Sequence, residues 1–242
     1  MALTPQEVSR VEAAQEQSLK MARLSRMNDR ELRILLGGDP VAAVPWVQCA
    51  AEFGLTAAQL RLGRMLLQGV GLAQDPALAL RWFARAAAQH DAEAMNMVGR
   101  CHEMGWGTLI DFENAAHWYH SSAQRGHDWG QYNFANMLFD GRGVVMDLAE
   151  ALQWYERAAQ QGHARAMNLL ARCHEEGWGC GKDPEQAFQW YRRSAESDYF
   201  RGQYNYASAL AERGFIAEAS EWFARAAVTS SSDEQHQRRG PV

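Results

Sequence analysis

The sequence predicts an all-α protein, a solenoid of stacked antiparallel helical hairpins, and three observations predict it. Tryptophan recurs at Trp46, Trp82, Trp118, Trp154 and Trp190, each 36 residues after the last, with Trp222 following 32 later. Alanine keeps step three residues before these rings (Ala43, Ala79, Ala115, Ala151, Ala187, Ala219) and five after (Ala51, Ala87, Ala123, Ala159, Ala195, Ala227). Asp39, Asp75, Asp111, Asp147 and Asp183 stand seven residues before the first five tryptophans, and the glycine pairs Gly69/Gly71, Gly105/Gly107, Gly141/Gly143 and Gly177/Gly179 precede the last four of these aspartates. Self-similarity at such a period marks a repeat architecture, in which each unit buries its apolar face only against its neighbours.

Composition narrows the class. The chain has 242 residues, 47% of them hydrophobic, a net charge of −5 and a pI near 5.9. The acidic balance lacks the basic footprint of a nucleic-acid binder, and no polybasic segment addresses an anionic membrane. No apolar run is long enough to span a bilayer. The opening Met1-Ala2-Leu3-Thr4-Pro5-Gln6-Glu7 has no basic region leading into an apolar stretch, so no secretory leader is expected. Cys49, Cys101, Cys173 and Cys180 show no paired spacing, which favours a reducing compartment and a cytoplasmic location.

The elements follow in chain order. Thr4-Pro5-Gln6-Glu7 reads as a capping box opening a charged helix to about residue 26. Asn28-Asp29-Arg30-Glu31 repeats the signal, with Leu32, Ile34, Leu35 and Leu36 as its apolar face before Gly37-Gly38. Residues 1–38 are expected to form a helical cap over the first repeat, or else a docking helix for a partner. Residues 39–229 form the solenoid, starting with a half-repeat at Asp39. Each repeat Asp is suited to accept from unpaired N–H groups at a helix start, and Pro40, Pro76 and Pro184 suit the first helical position, which needs no donor. The helix so opened carries Trp and Ala at offsets near one face, so that a ring fills the space beside a small neighbour and the helices approach closely.

Each glycine pair ends the preceding helix, glycine adopting positive φ at low cost. As a Gly-x-Gly it would need a strand before it to bind a dinucleotide, and a helix stands there instead. The first helices pair at twice the period: Ala94-Met95-Asn96 matches Ala166-Met167-Asn168, and Gly130-Gln131-Tyr132-Asn133 matches Gly202-Gln203-Tyr204-Asn205, 72 residues apart. Two repeat types therefore alternate. The last repeat lacks the Gly-x-Gly and Asp insertion, and Arg213-Gly214-Phe215 makes a tighter turn that accounts for its four missing residues. Residues 230–242, rich in Ser, Gln and charge, are expected to be a flexible tail.

The third repeat reads Gln131-Tyr132-Asn133, Gly141-x-Gly143-Val144, Asp147, Ala151, Trp154-Tyr155, Ala158-Ala159, Gly162-His163. This pattern resembles the Sel1-like repeat, a branch of the tetratricopeptide superfamily, over about residues 50–229. The resemblance implies a right-handed α-solenoid of about five full repeats plus the N-terminal half-repeat. It also implies a non-catalytic adaptor or scaffold that binds a protein or extended peptide on its concave face. The tyrosine expected before each glycine pair is replaced by Leu66, His102, Leu138, His174 and Leu210.

By analogy with tetratricopeptide folds, the first helix of each hairpin lines the inner face. Anchored on Gly63, Gly99, Ala135, Ala171 and Ala207, the inner positions lie three before, one after and four after. The candidate partner-binding residues are Arg64, Asn96, Arg100, Glu103, Tyr132, Asn136, Phe139, Asn168, Arg172, Glu175 and Tyr204, with Trp129 and Arg201 six before; Leu60, Leu67 and Ser208 share the register. Arg offers bidentate bonds to carboxylates, Asn can bond a peptide backbone, and Tyr and Trp give rigid contact area. About half are expected to face the groove and the rest to pack between hairpins. Trp106 and Trp178, inside the Gly-x-Gly turns, form a second candidate patch or lie over the next hairpin.

Other chemistry is less well supported. Arg100-Cys101-His102-Glu103 and Arg172-Cys173-His174-Glu175 suggest a metal or a nucleophile, but adjacent helical residues point about 100° apart. His102 and His174 are expected to fill the half-buried tyrosine position. His127 and His163 follow glycine at the turn between hairpins, where a structural role is expected. His117 and His120 have a spacing compatible with two ligands, but no carboxylate or Cys stands at ligand spacing beside them. No catalytic residue, metal, cofactor or small-molecule substrate is therefore predicted. The alternatives are a metal-binding or enzymatic protein using the Cys-His pairs, and a structural subunit of a larger complex.

Overall fold

The computed structural model describes residues 4–27 and 39–238; the second N-terminal helix signal, at 28–36, lies outside the described residues. Among the described residues there are twelve helices and no strand. In chain order they are α1 (Pro5–Leu24), α2 (Pro40–Glu52), α3 (Thr56–Gln68), α4 (Pro76–Ala87), α5 (Ala92–Met104), α6 (Phe112–Gln124), α7 (Asp128–Asp140), α8 (Leu148–Gln160), α9 (Ala164–Glu176), α10 (Pro184–Glu196), α11 (Phe200–Glu212) and α12 (Ile216–Arg238). Within the units consecutive helices pack on one another, α2 on α3 and α3 on α4, and each helix from α6 to α12 on the next, as the predicted α-solenoid requires. The chain divides into two compact units, one holding residues up to Cys101 with 105–109, the other 102–104 and the residues from Ile110 onward.

The helix boundaries are set by the residues singled out in the sequence. The Asp75, Asp111, Asp147 and Asp183 carboxylates accept from the N–H of Leu78, Asn114, Glu150 and Gln186 at 2.8–3.0 Å, and Asp39 accepts from Ala42 at 3.2 Å. Each satisfies a donor that the helix itself leaves unpaired. Two histidines do the same for first helices, since the Nδ1 atoms of His127 and His163 accept from the N–H of Gly130 and Ala166, both at 3.1 Å. That gives the Gly-His pair its structural role.

The two glycines of each turn have different duties. The first (Gly69, Gly105, Gly141, Gly177) is a left-handed helix cap. The second is also left-handed, and it lies against the backbone that opens the preceding repeat's second helix: Gly107 on Pro76 in the first unit, Gly143 on Phe112 and Gly179 on Leu148 in the second. A Cβ at any of these three positions would collide with main chain, which cannot rotate away.

The core confirms the ladder and corrects its emphasis. All six alanines three residues before the tryptophans are buried, as are five of the six alanines five residues after. The exception is Ala227, because α12 runs on instead of turning into another hairpin that would cover it. Trp82 and Trp154 are 8% and 7% exposed, and Trp46, Trp118, Trp190 and Trp222 are half-buried, whereas Phe83, Tyr119, Tyr155 and Tyr191 are 0–3% exposed. The ring after the tryptophan is the central plug; in the first unit Phe83 lies on Gly63, where a methyl group would overlap it. The indoles sit at the rim, and Arg85, Arg157, Arg193 and Arg225, each three residues on, stack over Trp82, Trp154, Trp190 and Trp222 at 4.4–4.7 Å from the ring centres. These arginines keep one indole face out of water without burying it in hydrocarbon.

The alternation of repeat types is visible inside. In the second unit Gly130 and Gly202 rest against the buried Ser122 and Ser194, where other repeats have alanine at both positions. Gln59, Gln131 and Gln203 are buried at the position that Met95 and Met167 fill in the intervening repeats. The Gln59 and Gln131 amides donate to the carbonyls of Ala51 and Ala123 and accept from Gln89 and Gln161.

At the two ends the structure adds to the sequence reading. In the first unit α1 lies against α2, with Arg23 over the Trp46 ring at 5.1 Å and Gln17 bonded to Glu52. At the other end α12 continues as helix to Arg238, through most of the residues from 230 that were expected to form a flexible tail. No Gly or Pro intervenes before Gly240-Pro241, so nothing interrupts the hydrogen-bond ladder once it is propagating.

Candidate protein-interaction groove

The candidate residues sort differently in the two units. In the first, Arg64 is ion-paired with Glu93, Asn96 is buried, and Arg100 stacks on Trp106 at 5.0 Å. Leu60 and Leu67 are core residues. Asn96 is thus among the candidates that are buried, as about half were expected to be.

In the second unit the first helices α7, α9 and α11 bring several candidates together. A groove of about 620 Å³ is lined by Tyr132 from α7, by Arg165, Asn168, Leu169 and Arg172 from α9, and by Tyr199, Phe200, Arg201, Tyr204 and Asn205 at and along α11. Phe223, Ala226, Ala227 and Ser230 from α12 complete it, so the continuation of that helix supplies a wall. A smaller recess of about 200 Å³, which shares Leu169 and Arg172 with the groove, lies among Asn136, Phe139, Asp140, Tyr155, Cys173 and Trp178.

Within this site Tyr204 is exposed, at 57%, and Tyr132 is half-buried, while Trp129, 40% exposed, lines neither cavity and stands beside Tyr132. Trp129 meets Tyr132 and His163 edge-on at 6.0 and 4.5 Å, and Tyr204 leans on Phe223 at 5.3 Å. Phe139 packs on Trp178 at 5.2 Å, and Arg172 covers Trp178 at 5.1 Å, which places that indole in the recess wall. Asn168 is buried but reaches the groove wall, accepting from Asn205 at 2.8 Å. Arg201 is exposed at the groove mouth.

Three candidates hold the hydroxyls of the plug rings. The hydroxyls of Tyr119, Tyr155 and Tyr191 donate to Glu103, Asn136 and Glu175 at 2.6–2.7 Å, and Glu103 also pairs with Arg142 at 3.0 Å. Burial pushes the Tyr155 and Tyr191 hydroxyls up, so they act as donors at physiological pH. These bonds tie each plug ring to a first helix, and the Tyr155–Asn136 pair stands in the wall of the smaller recess.

The sequence reading missed Arg165, Tyr199, Phe200, Asn205 and the α12 wall. Arg165 was within reach, since it shares the register of Trp129 and Arg201, 36 residues from each. The aromatic pair at the start of α11 and the helical continuation after Thr229 have no counterpart in other repeats, so periodicity gave no signal for them.

The Cys-His pairs have the surroundings of structural groups. Cys101 and Cys173 are buried, and burial pushes both thiols up to about 12, away from the reactive thiolate. His102 and His174 are half-buried, and His174 Nδ1 lies 3.7 Å from the Cys180 sulfur. His120 stacks on Phe134 at 4.6 Å while His117 is exposed. Among the described residues no three His, Cys, Asp or Glu side chains gather as a metal site, and no helix is long and apolar enough to cross a membrane.

His163 links the groove to pH. Its ring lies stacked on Tyr132 at 4.7 Å, and burial lowers its pKa from 6.5 to about 4. Above pH 6.5 the imidazole is neutral whether the chain is folded or not; as pH falls towards 4, only the unfolded chain takes up the proton. Stability should therefore decline across that window, by on the order of 3 kcal/mol from this group. His163→Asn keeps a cap acceptor for Ala166 and cannot titrate. Urea denaturation at a series of pH values should show a flatter decline for this variant, and parallel curves would refute the assignment.

The comparisons with known proteins come from sequence and from fold. A sequence model of the Sel1 repeat matches residues 56–91, 92–127, 130–163 and 164–199. No curated protein matches the chain significantly. Among solved structures it is similar to a protective antigen of uropathogenic Escherichia coli displaying an SLR fold, at 29% identity over 95% of this chain and with a TM-score of 0.75. The chain spans only 50% of that antigen's length. It is also similar to a Sel1 repeat protein from Oxalobacter formigenes, at 23% identity, 90% of this chain, 95% of that one and a TM-score of 0.73. The immunity protein Pa5087 of Pseudomonas aeruginosa, at 16% identity over 72% of this chain and 66% of its own, with a TM-score of 0.51, shares the fold alone.

Proposed function

This chain belongs to the Sel1 repeat family, and we propose that it acts as a non-catalytic adaptor that holds a protein or extended peptide in the groove of its second unit. The observation that carries the reading is the groove itself. Rigid rings (Tyr132, Tyr199, Tyr204) and guanidinium groups (Arg165, Arg172, Arg201) line it together, carried by three first helices. Pockets of this kind, with aromatic anchors and a few placed polar groups on rigid elements, are where interfaces concentrate their energy. The four free cysteines fit a reducing, cytoplasmic setting.

Tyr204→Ala tests the reading. Its ring is exposed and touches mainly Phe223, so the variant should keep wild-type helicity and thermal unfolding while losing about tenfold or more in affinity for a captured partner. Retention of full affinity by Tyr204→Ala, Tyr132→Ala and Arg172→Ala alike would remove the groove from the function.

A further inference from the structure

We propose that the groove of the second unit is built for an acidic peptide segment whose carboxylates seat on Arg165, Arg172 and Arg201. The inference rests on the peptide-binding reading above and specifies the chemistry of the occupant. It begins with two registers of the first helices. Six residues before the small anchor the repeats carry Ala57, Glu93, Trp129, Arg165 and Arg201, and one residue after it Arg64, Arg100, Asn136, Arg172 and Ser208. In the first unit these registers neutralise each other, Glu93 pairing with Arg64. Further along the chain the acid is replaced by arginine, so positive charge accumulates on one groove of a molecule whose net charge is −5.

None of these three guanidinium groups is ion-paired among the described residues, whereas Arg142, Arg192 and Arg213 each are. Among the residues lining the groove and its recess the one acid is Asp140, and it is engaged by Arg142 at 3.3 Å. The three groups lie over rings instead. Arg165 is 5.3 Å from the centre of Trp129 and 5.9 Å from Tyr199, Arg172 is 5.1 Å from Trp178, and Arg201 is 5.5 Å from Phe200. A guanidinium held flat on a ring is pre-organised, and its edge N–H groups remain available to grip a carboxylate with two parallel bonds. Three such forks in one groove favour a segment bearing several Asp or Glu side chains, with Tyr132 and Tyr204 as platforms for the residues between them.

The experiment is to pan a display library of random unmodified peptides on the full chain and on two variants, Tyr204→Ala and the triple Arg165→Gln, Arg172→Gln, Arg201→Gln. A labelled single-stranded oligonucleotide serves as a second probe. The expected result is recovered peptides enriched in Asp and Glu, whose affinity falls at least tenfold in the triple variant and also falls as salt rises. Circular dichroism matching the wild type checks that these exposed substitutions leave the fold intact. Peptides that bind in a Tyr204-dependent way but carry no acidic enrichment, or that ignore the triple substitution, would overturn the inference and leave the adaptor reading standing. If no peptide depends on groove residues, or if the oligonucleotide binds more tightly than any peptide and depends on the three arginines, the adaptor reading falls with it.

Discussion

Replacing Tyr155 with Ala is expected to destabilise the second unit by about 3–5 kcal/mol, the range for truncating a buried aromatic. The ring is 1% exposed and wedged among Ala135, Ala151, Ala158 and Ala159, and its hydroxyl donates to Asn136 at 2.6 Å. Removing it opens a cavity that helices pinned by caps at both ends cannot collapse to fill. Tyr155→Phe should cost only about 1 kcal/mol, for the lost hydrogen bond. Trp154→Ala belongs in the same 3–5 kcal/mol range, because its ring is almost as buried and its Nε1 donates to Glu150. Denaturant unfolding followed by fluorescence of the remaining tryptophans measures each loss as a shift in midpoint. A loss below about 1 kcal/mol for Tyr155→Ala would place that ring outside the core.

Gly143→Ala is expected to cost roughly 3–4 kcal/mol, well above the general cost of alanine at positive φ. The backbone there has φ of 70°, and the added methyl meets the main chain of Phe112 and Glu113, so the hairpins must part to admit it. Gly126→Ala is the control. Its φ is 84°, but nothing lies within 4 Å of the new methyl, so only the left-handed strain of about 1–2 kcal/mol applies. Equal losses at the two sites would mean that the approach at Gly143 is not tight.

Both predictions use residues that the sequence exposes to different degrees. The Asp caps, the glycine turns and the Trp-Ala ladder were legible because each repeats at one period, and a period isolates the positions that every hairpin needs. The rank of two adjacent rings was not legible. Trp154 and Tyr155 are both aromatic and recur together, and only the packing shows that the second is the more deeply buried, at 1% against 7%, while the first carries Arg157 over its ring. Nor did periodicity distinguish the two glycines of a turn, since positive φ and close approach to a neighbouring backbone both select the same residue.

The groove lay at the limit of what repetition can show. Tyr132, Arg172, Arg201 and Tyr204 were found by register, because a helix face is a matter of spacing. Asn96 and Asn168 occupy the same face yet are buried, since neighbouring side chains decide how deep a given position sits. Tyr199, Phe200 and the continuation of α12 lie where the pattern breaks, and a site made from irregularities is invisible to a search for regularities.

The alternation of seryl and glycyl contacts with alanyl ones has a consequence for how such an array can be edited. Gly130 has room only for a hydrogen beside Ser122, so a hairpin bearing Ala in its place could not follow a hairpin bearing Ser without overlap. Unequal crossing-over that removed 36 residues with its junction between Ser122 and Gly130 would seat Ala166 on Ser122, whereas removal of 72 at the same junction would seat Gly202 there and rejoin like with like. At a junction that follows a seryl helix, the stretch that can be removed without a clash is therefore a pair of hairpins, not a single one.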